Sequence, residues 1–173
     1  MAEHRRTILR AIEAALRAAD PGEAVRRYCH RDGGTVILAD GEEVDLATHS
    51  RVVVVGAGKA SVGLAAAAGE LFSDRPIAGA VVTRDGYLAP SFGSSAVPPT
   101  IEIQEAGHPL PDERSVAAAE KALELARSCR PDDLLVCFLS GGASALWAAP
   151  PDGVSLEDVR ALTAALLRSG API

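Results

Sequence analysis

The stretch "RVVVVGAGKA", residues 51–60, is an apolar, β-branched run that breaks at once into a glycine turn. Branching at Cβ favours strands over helices. A run without polar alternation suits a strand covered on both faces, as in a parallel sheet. The segment that follows, "ASVGLAAAAGELF", is rich in alanine and helix-prone. Strand, glycine turn and helix in that order predict the opening of an α/β unit.

The rest of the chain repeats this alternation. "IAGAVVT" (77–83) and "TIEIQEA" (100–106) are expected strands, separated by an irregular loop over 84–99 rich in Gly, Pro and Ser. A helix is expected within "PDERSVAAAEKALELARSC", with Asp112 as N-cap and Val116, Ala119, Leu123 and Ala126 as its apolar stripe. "DDLLVCFLS" (132–140) is a further buried strand. A last helix opens at Ser155 and Asp158, close to a capping box, and stops at Gly170. Upstream, a helix over about 3–19 carries Ile8, Ile12, Leu16 and Ala19 at helical spacing and is expected to lie on a core. A short helix over "EAVRRYCHR" follows, then a small hairpin around Asp40-Gly41. The expected fold is α/β: a doubly wound, mostly parallel sheet with helices on both faces, Rossmann-like. With 173 residues there is material for one sizeable core and not for two ordinary domains.

Composition narrows the function classes. Aromatic residues make up only 3% of the chain, and Lys and Arg are scattered within a net charge of −6. Neither a basic stripe nor stacking platforms for nucleic acid are present. No apolar run reaches the roughly twenty residues of a membrane span. The three cysteines, Cys29, Cys129 and Cys137, show no metal-ligand or CxxC spacing. Cys137 is expected as a buried small hydrophobe, and reduced thiols fit a cytoplasmic protein. No metal ligands are assigned.

Ligands in doubly wound sheets bind beyond the carboxyl ends of the strands, which brings the loops 56–60, 84–87 and 139–144 together. In "GAGKA", Gly56 and Gly58 allow a ligand close to the backbone, and a helix N-terminus favours an anion. The turn matches neither a dinucleotide fingerprint, which needs glycine where Ser61 stands, nor a Walker A loop, which needs Ser or Thr where Ala60 stands. Lys59 is either a cation for a phosphoryl group or carboxylate, or an ordinary exposed lysine at a helix start. In "SGGAS", Ser140, Gly141, Gly142 and Ser144 offer backbone amides and hydroxyls in a nest-like turn, or simply a capped turn. The G-x-S-x-G order of a nucleophile elbow is missing, so hydrolase chemistry is a minor reading. In "EAGHPLPDE", His108 follows a strand end beside the other two loops and is either structural or part of the same cleft.

Taken in order, "VVGAGKA", "EAGHPLPDERS" and "LSGGASALWAAPPDG" resemble the N-terminal part of the ATP-dependent glycerate 2-kinases, whose N-terminal domain is DUF4147 and whose C-terminal domain is MOFRL. The resemblance covers almost the whole chain. It implies phosphoryl transfer from ATP, with Mg2+, to the 2-hydroxyl of D-glycerate. Lys59 would stand near the transferred phosphate, Ser140, Gly141, Gly142 and Ser144 would form the anion and substrate loop, Gly56 and Gly58 would bind substrate or phosphate with them, and His108 would line the cleft.

The family pattern continues past "G-A-x-I" into a segment of the type V-R-K-H-L-S, whereas this sequence ends at Ile173. Residues 1–173 are therefore expected to be the N-terminal part of a truncated DUF4147 domain, without the MOFRL domain and inactive alone. Two other classes stay open: an oxidoreductase of hydroxypyruvate or tartronate, and a non-catalytic module that binds a small anion.

Overall fold

The computed structural model describes residues 2–88 and 96–170. Helices α1 (Ala2–Ala18) and α2 (Pro21–Tyr28) lead into a small antiparallel sheet of β1 (Cys29–Asp32), β2 (Thr35–Leu38) and β3 (Glu43–Asp45). Then come β4 (Arg51–Ala57), α3 (Ser61–Leu71), β5 (Ile77–Arg84), β6 (Ile101–Ala106), α4 (Glu113–Arg127), β7 (Asp133–Leu139), the short α5 (Ala143–Leu146) and α6 (Leu156–Ser169).

The strands β4 to β7 form a parallel sheet in the order β6-β5-β4-β7, bearing out the α/β expectation. Side chains alternate across it. Val52, Val54 and Val81 pack with Val62, Ala65 and Phe72 of the α3 side, whereas Ala57, Val82 and Ala106 pack with Ala118 of α4 and Leu146 of α5. Helices thus cover both faces. The small sheet joins the α3 side through Val36 and Leu46. It is held there by Arg31, which grips Asp74 with two nitrogens, and by Arg75, which donates to the carbonyls of Leu46 and His49.

The caps follow the sequence closely. Asp112 accepts from the amides of Arg114 and Ser115, Ser155 and Asp158 form a capping box, and Gly170 ends α6 at φ 70°.

Four expectations need correction. Helix α1 does not lie on a core: Ile8, Ile12 and Leu16 are all exposed, and α1 packs chiefly against α2. Helix α2 stops at Tyr28, and Cys29–Asp32 instead extends to pair with β2 across the Gly33-Gly34 turn. On α4 the buried stripe is Ser115, Ala118, Ala119 and Ala122, one position round from the expected one; Leu123 is exposed. Small residues let this helix approach the sheet closely, with Val116 left half-buried at the edge of the contact and Leu123 turned to solvent. Strand β7 is half-covered rather than buried. Leu134, Val136 and Phe138 face the α3 core, while Leu135, Cys137 and Leu139 are exposed because β7 is an edge strand beyond the reach of α4. Of the loop expected at 84–99, residues 89–95 lie outside the described residues.

Candidate active site

The chain lays β5 and β6 on one side of β4 and then returns through α4 to add β7 on the other. The order of strands reverses between β4 and β7, so their carboxyl ends diverge and open a crevice. Three hydrogen bonds tie the two loops that leave it. The amide of Ser140 donates to the Ala57 carbonyl at 3.1 Å, and that of Lys59 to the Gly141 carbonyl at 3.0 Å. The amide of Ala60 donates to Ser140 Oγ at 3.1 Å. This close approach requires glycine at 58. Its φ is 130°, and a side chain there would stand 2.7 Å from the Ser140 carbonyl oxygen.

Above this floor three side chains converge. The Lys59 side chain lies along the glycine loop, its Cε 3.5 Å from where a Gly142 side chain would begin. The His108 ring comes from the other side to 2.9 Å of the same point. Arg84, the last residue of β5, pairs in register with Ala106 of β6. Since Ala57, the last residue of β4, pairs with Val82, Arg84 stands two residues above that strand end, where the turn bearing Lys59 leaves the sheet. Its guanidinium carbon lies 5.1 Å from the centre of the Tyr87 ring, a cation–π contact.

The charges around the cleft are unbalanced. Among the described residues neither Lys59 nor Arg84 has a carboxylate partner, whereas the neighbouring carboxylates are all engaged. Arg114 bridges Asp85 and Asp112, and Glu105 accepts from the amides of Tyr87 and Leu88. The amides of Gly141 and Gly142 donate to no group among the described residues. Burial, then the positive charges of Lys59 and Arg84, hold the His108 pKa below its ordinary value. Both causes favour the neutral imidazole. Next to it, His108, Pro109, Leu110, Ala164, Leu167 and Arg168 line an open cavity of about 380 Å³. Arg160 of α6 anchors that wall by donating to the Pro111 carbonyl at 2.9 Å.

The residues singled out in the sequence separate into two groups. Gly58, Lys59, His108, Ser140, Gly141 and Gly142 meet at the crevice. Gly56 lies within β4, paired with Val81 and Phe138 and packed between them, one level below the opening. Ser144 lies exposed on α5. Sequence reasoning passed over Arg84. Its signal was a cation ending an apolar strand, and only the register with β4 gives that position meaning.

The match to known proteins agrees with this architecture. A family model described as a domain of unknown function, DUF4147, matches residues 7–173. The chain belongs to the DUF4147 family. It is 34% identical over 165 residues to a glycerate 2-kinase of Pyrococcus horikoshii, covering 95% of this chain and 35% of that protein. It is 41% identical over 170 residues to an Agrobacterium vitis protein provisionally named a hydroxypyruvate reductase, covering 98% of this chain and 34% of that one. The crystal structure of a glycerate kinase from Thermotoga maritima superposes with a TM-score of 0.71 at 31% identity, over 99% of this chain and 36% of the other. The DUF4147 chain thus spans about a third of the length of the curated relatives it matches.

Proposed function

We propose that this DUF4147 chain forms the N-terminal wall of the active site of a glycerate 2-kinase, an enzyme that transfers a phosphoryl group from ATP to the 2-hydroxyl of D-glycerate. The observation that carries the reading is the crevice between β4 and β7. There Lys59 and Arg84 have no carboxylate partner, and the amides of Gly141 and Gly142 have no acceptor, among the described residues. Such a set suits an anionic substrate and a phosphoryl group, and relatives named glycerate kinases supply the reaction.

Bound ATP supplies the phosphoryl group. Lys59 is positioned to offset the negative charge that grows on the transferred group. The Gly141 and Gly142 amides orient its oxygens. His108, whose surroundings favour its neutral form, can accept a hydrogen bond from the attacking hydroxyl. Magnesium would enter with the nucleotide. Among the described residues no group of three or more His, Cys, Asp or Glu side chains is arranged to hold a metal, so no step is assigned to the ion.

The name of the Agrobacterium relatives favours a second reading, reduction of hydroxypyruvate. The loop chemistry speaks against it. Ser61 stands where a dinucleotide turn requires glycine, and its hydroxyl is fully buried, donating to the Val82 carbonyl at 2.8 Å.

The test joins this chain to the C-terminal two-thirds of the Thermotoga kinase and follows ADP release with D-glycerate and MgATP. Turnover that Lys59→Ala lowers by at least a hundredfold is expected, with none from the 173-residue chain alone. A folded chimera that oxidises NADH with hydroxypyruvate and ignores ATP overturns the kinase reading. Phosphate binding without either reaction would leave a small-anion module.

A further inference from the structure

We propose that Arg84 is the carboxylate-binding residue of this crevice, so that a small hydroxy acid lies across the strand ends with its carboxylate over β5 and its phosphate-facing end over β4 and β7. The hydroxy acid is the substrate class of the kinase reading, on which this orientation rests; the carboxylate site itself rests on the cleft alone.

Register supplies the first argument. Arg84 pairs with Ala106, and two residues earlier Val82 pairs with Ala57 of β4, which in turn pairs with Leu139 of β7. Arg84 therefore stands two residues past the level at which β4 and β7 end, where the turns bearing Lys59 and Gly141 leave the sheet, in the order β5, β4, β7, and both Arg84 and Lys59 act on the charge of His108. Adjacent strands are about 4.8 Å apart, a step that a two- or three-carbon acid can bridge. Alternation along β5 puts Arg84 on the face of Val82, the face that packs with Ala57, Ala106 and α4. That is the side from which His108 also enters.

Chemistry supplies the second. A guanidinium is a planar fork that matches a carboxylate with two parallel hydrogen bonds. The contact with Tyr87 steadies that plane without neutralising it. The nearby acids bond elsewhere, Asp85 to Arg114 and Glu105 to two amides, although Asp85 also feels the charge of Arg84. Lys59 differs from Arg84 in its surroundings. It lies against Gly141 and Gly142, whose amides are free for a tetrahedral group of oxygens. The crevice thus offers a fork at one end and a point charge with backbone donors at the other.

Calorimetric titration of the chain with D-glycerate, glycerol, L-lactate and inorganic phosphate separates these roles. Arg84→Met is expected to weaken D-glycerate at least tenfold and phosphate less than twofold, with an unchanged thermal midpoint; Arg84→Lys recovers part of the loss. Lys59→Met is expected to weaken phosphate at least fivefold and D-glycerate less. Unchanged D-glycerate binding by Arg84→Met, or equal losses of D-glycerate and phosphate, overturns the assignment. So does a wild-type chain that binds no carboxylate. A reversed pattern in the two variants overturns the orientation. If the wild type binds L-lactate through Arg84 but takes D-glycerate no better than glycerol, the glycerate reading fails while the carboxylate site stands.

Discussion

Gly142 and the imidazole of His108 are packed so closely that a methyl group on Gly142 would lie 2.9 Å from both Cδ2 and Nε2. Gly142 is also in the left-handed region, at φ 96°. Two separate penalties therefore meet at one residue, backbone strain and a collision inside the candidate site.

Gly142→Ala should destabilise the chain by more than strain alone. Gly153 provides the reference, because at φ 85° it shares the strained backbone but has open space around it. Replacing it with alanine is expected to cost about 1 kcal/mol. Gly142→Ala adds the displacement of His108, for a total of about 2 kcal/mol. Urea unfolding of the two variants measures the difference. Equal losses would mean that the ring of His108 is not held against the glycine loop.

The glycine loop shows what the sequence could and could not convey. Val52 to Val55, running into "GAGKA", was enough to place β4 and its turn, because β-branched runs and glycine turns are local physics. Asp112, Ser155 and Gly170 marked helix ends for the same reason. Burial was less legible. Cys137 reads as core in an apolar strand, and whether its face is covered depends on which neighbour β7 acquires. Ile8, Ile12 and Leu16 have helical spacing, but spacing says nothing about what lies opposite. The loop 84–87 was placed beside the other two, but Arg84 itself was not singled out, because its value depends on the register of β5 with β4, whose residues are far apart along the chain. Gly56 was drawn into the site by its place in a motif, although its neighbours Phe138 and Val81 explain it as packing.

The ring of His108 should titrate below 6.5. Desolvation is the main cause, followed by the charges of Lys59 and Arg84. Both disfavour the imidazolium, so removing either charge must raise the midpoint. Proton NMR of the ring, followed from pH 8 to 4.5, should give a low midpoint in the wild type and higher ones in Lys59→Met and Arg84→Met. A midpoint at or above 6.5, or no movement in both variants, would separate His108 from the two cations.

Asp133 should make the chain sensitive to acid. Arg51 holds its carboxylate with two bonds of 2.8 Å, and the Arg130 amide adds a third at 2.7 Å. The first of these causes dominates, and together they draw the pKa down to about 2 from an ordinary 3.8. A carboxylate whose folded pKa is depressed stabilises the fold above its unfolded value and loses that contribution as pH falls through the folded one. The Asp133 contribution is therefore complete above about pH 5 and fades between about pH 4 and pH 2. Denaturation midpoints across that window should fall more steeply in the wild type than in Asp133→Asn. Parallel curves would show that the Arg51–Asp133 link between β4 and β7 carries no such weight.

Thr83 offers the opposite case, a polar group whose loss should help. It is fully buried on β5, yet its Oγ1 has no hydrogen-bond partner among the described residues. An unpaired buried hydroxyl keeps its full desolvation penalty, whereas a methyl group of the same shape does not. Valine matches the shape of threonine and suits the strand. Thr83→Val is accordingly expected to stabilise the fold by about 1 kcal/mol. Ser61 serves as the contrast, since its Oγ donates to the Val82 carbonyl at 2.8 Å and its removal in Ser61→Ala should destabilise by a similar amount. Thermal and urea unfolding of both variants decide the matter. A destabilised Thr83→Val would mean that the hydroxyl is satisfied in solution by a bound water.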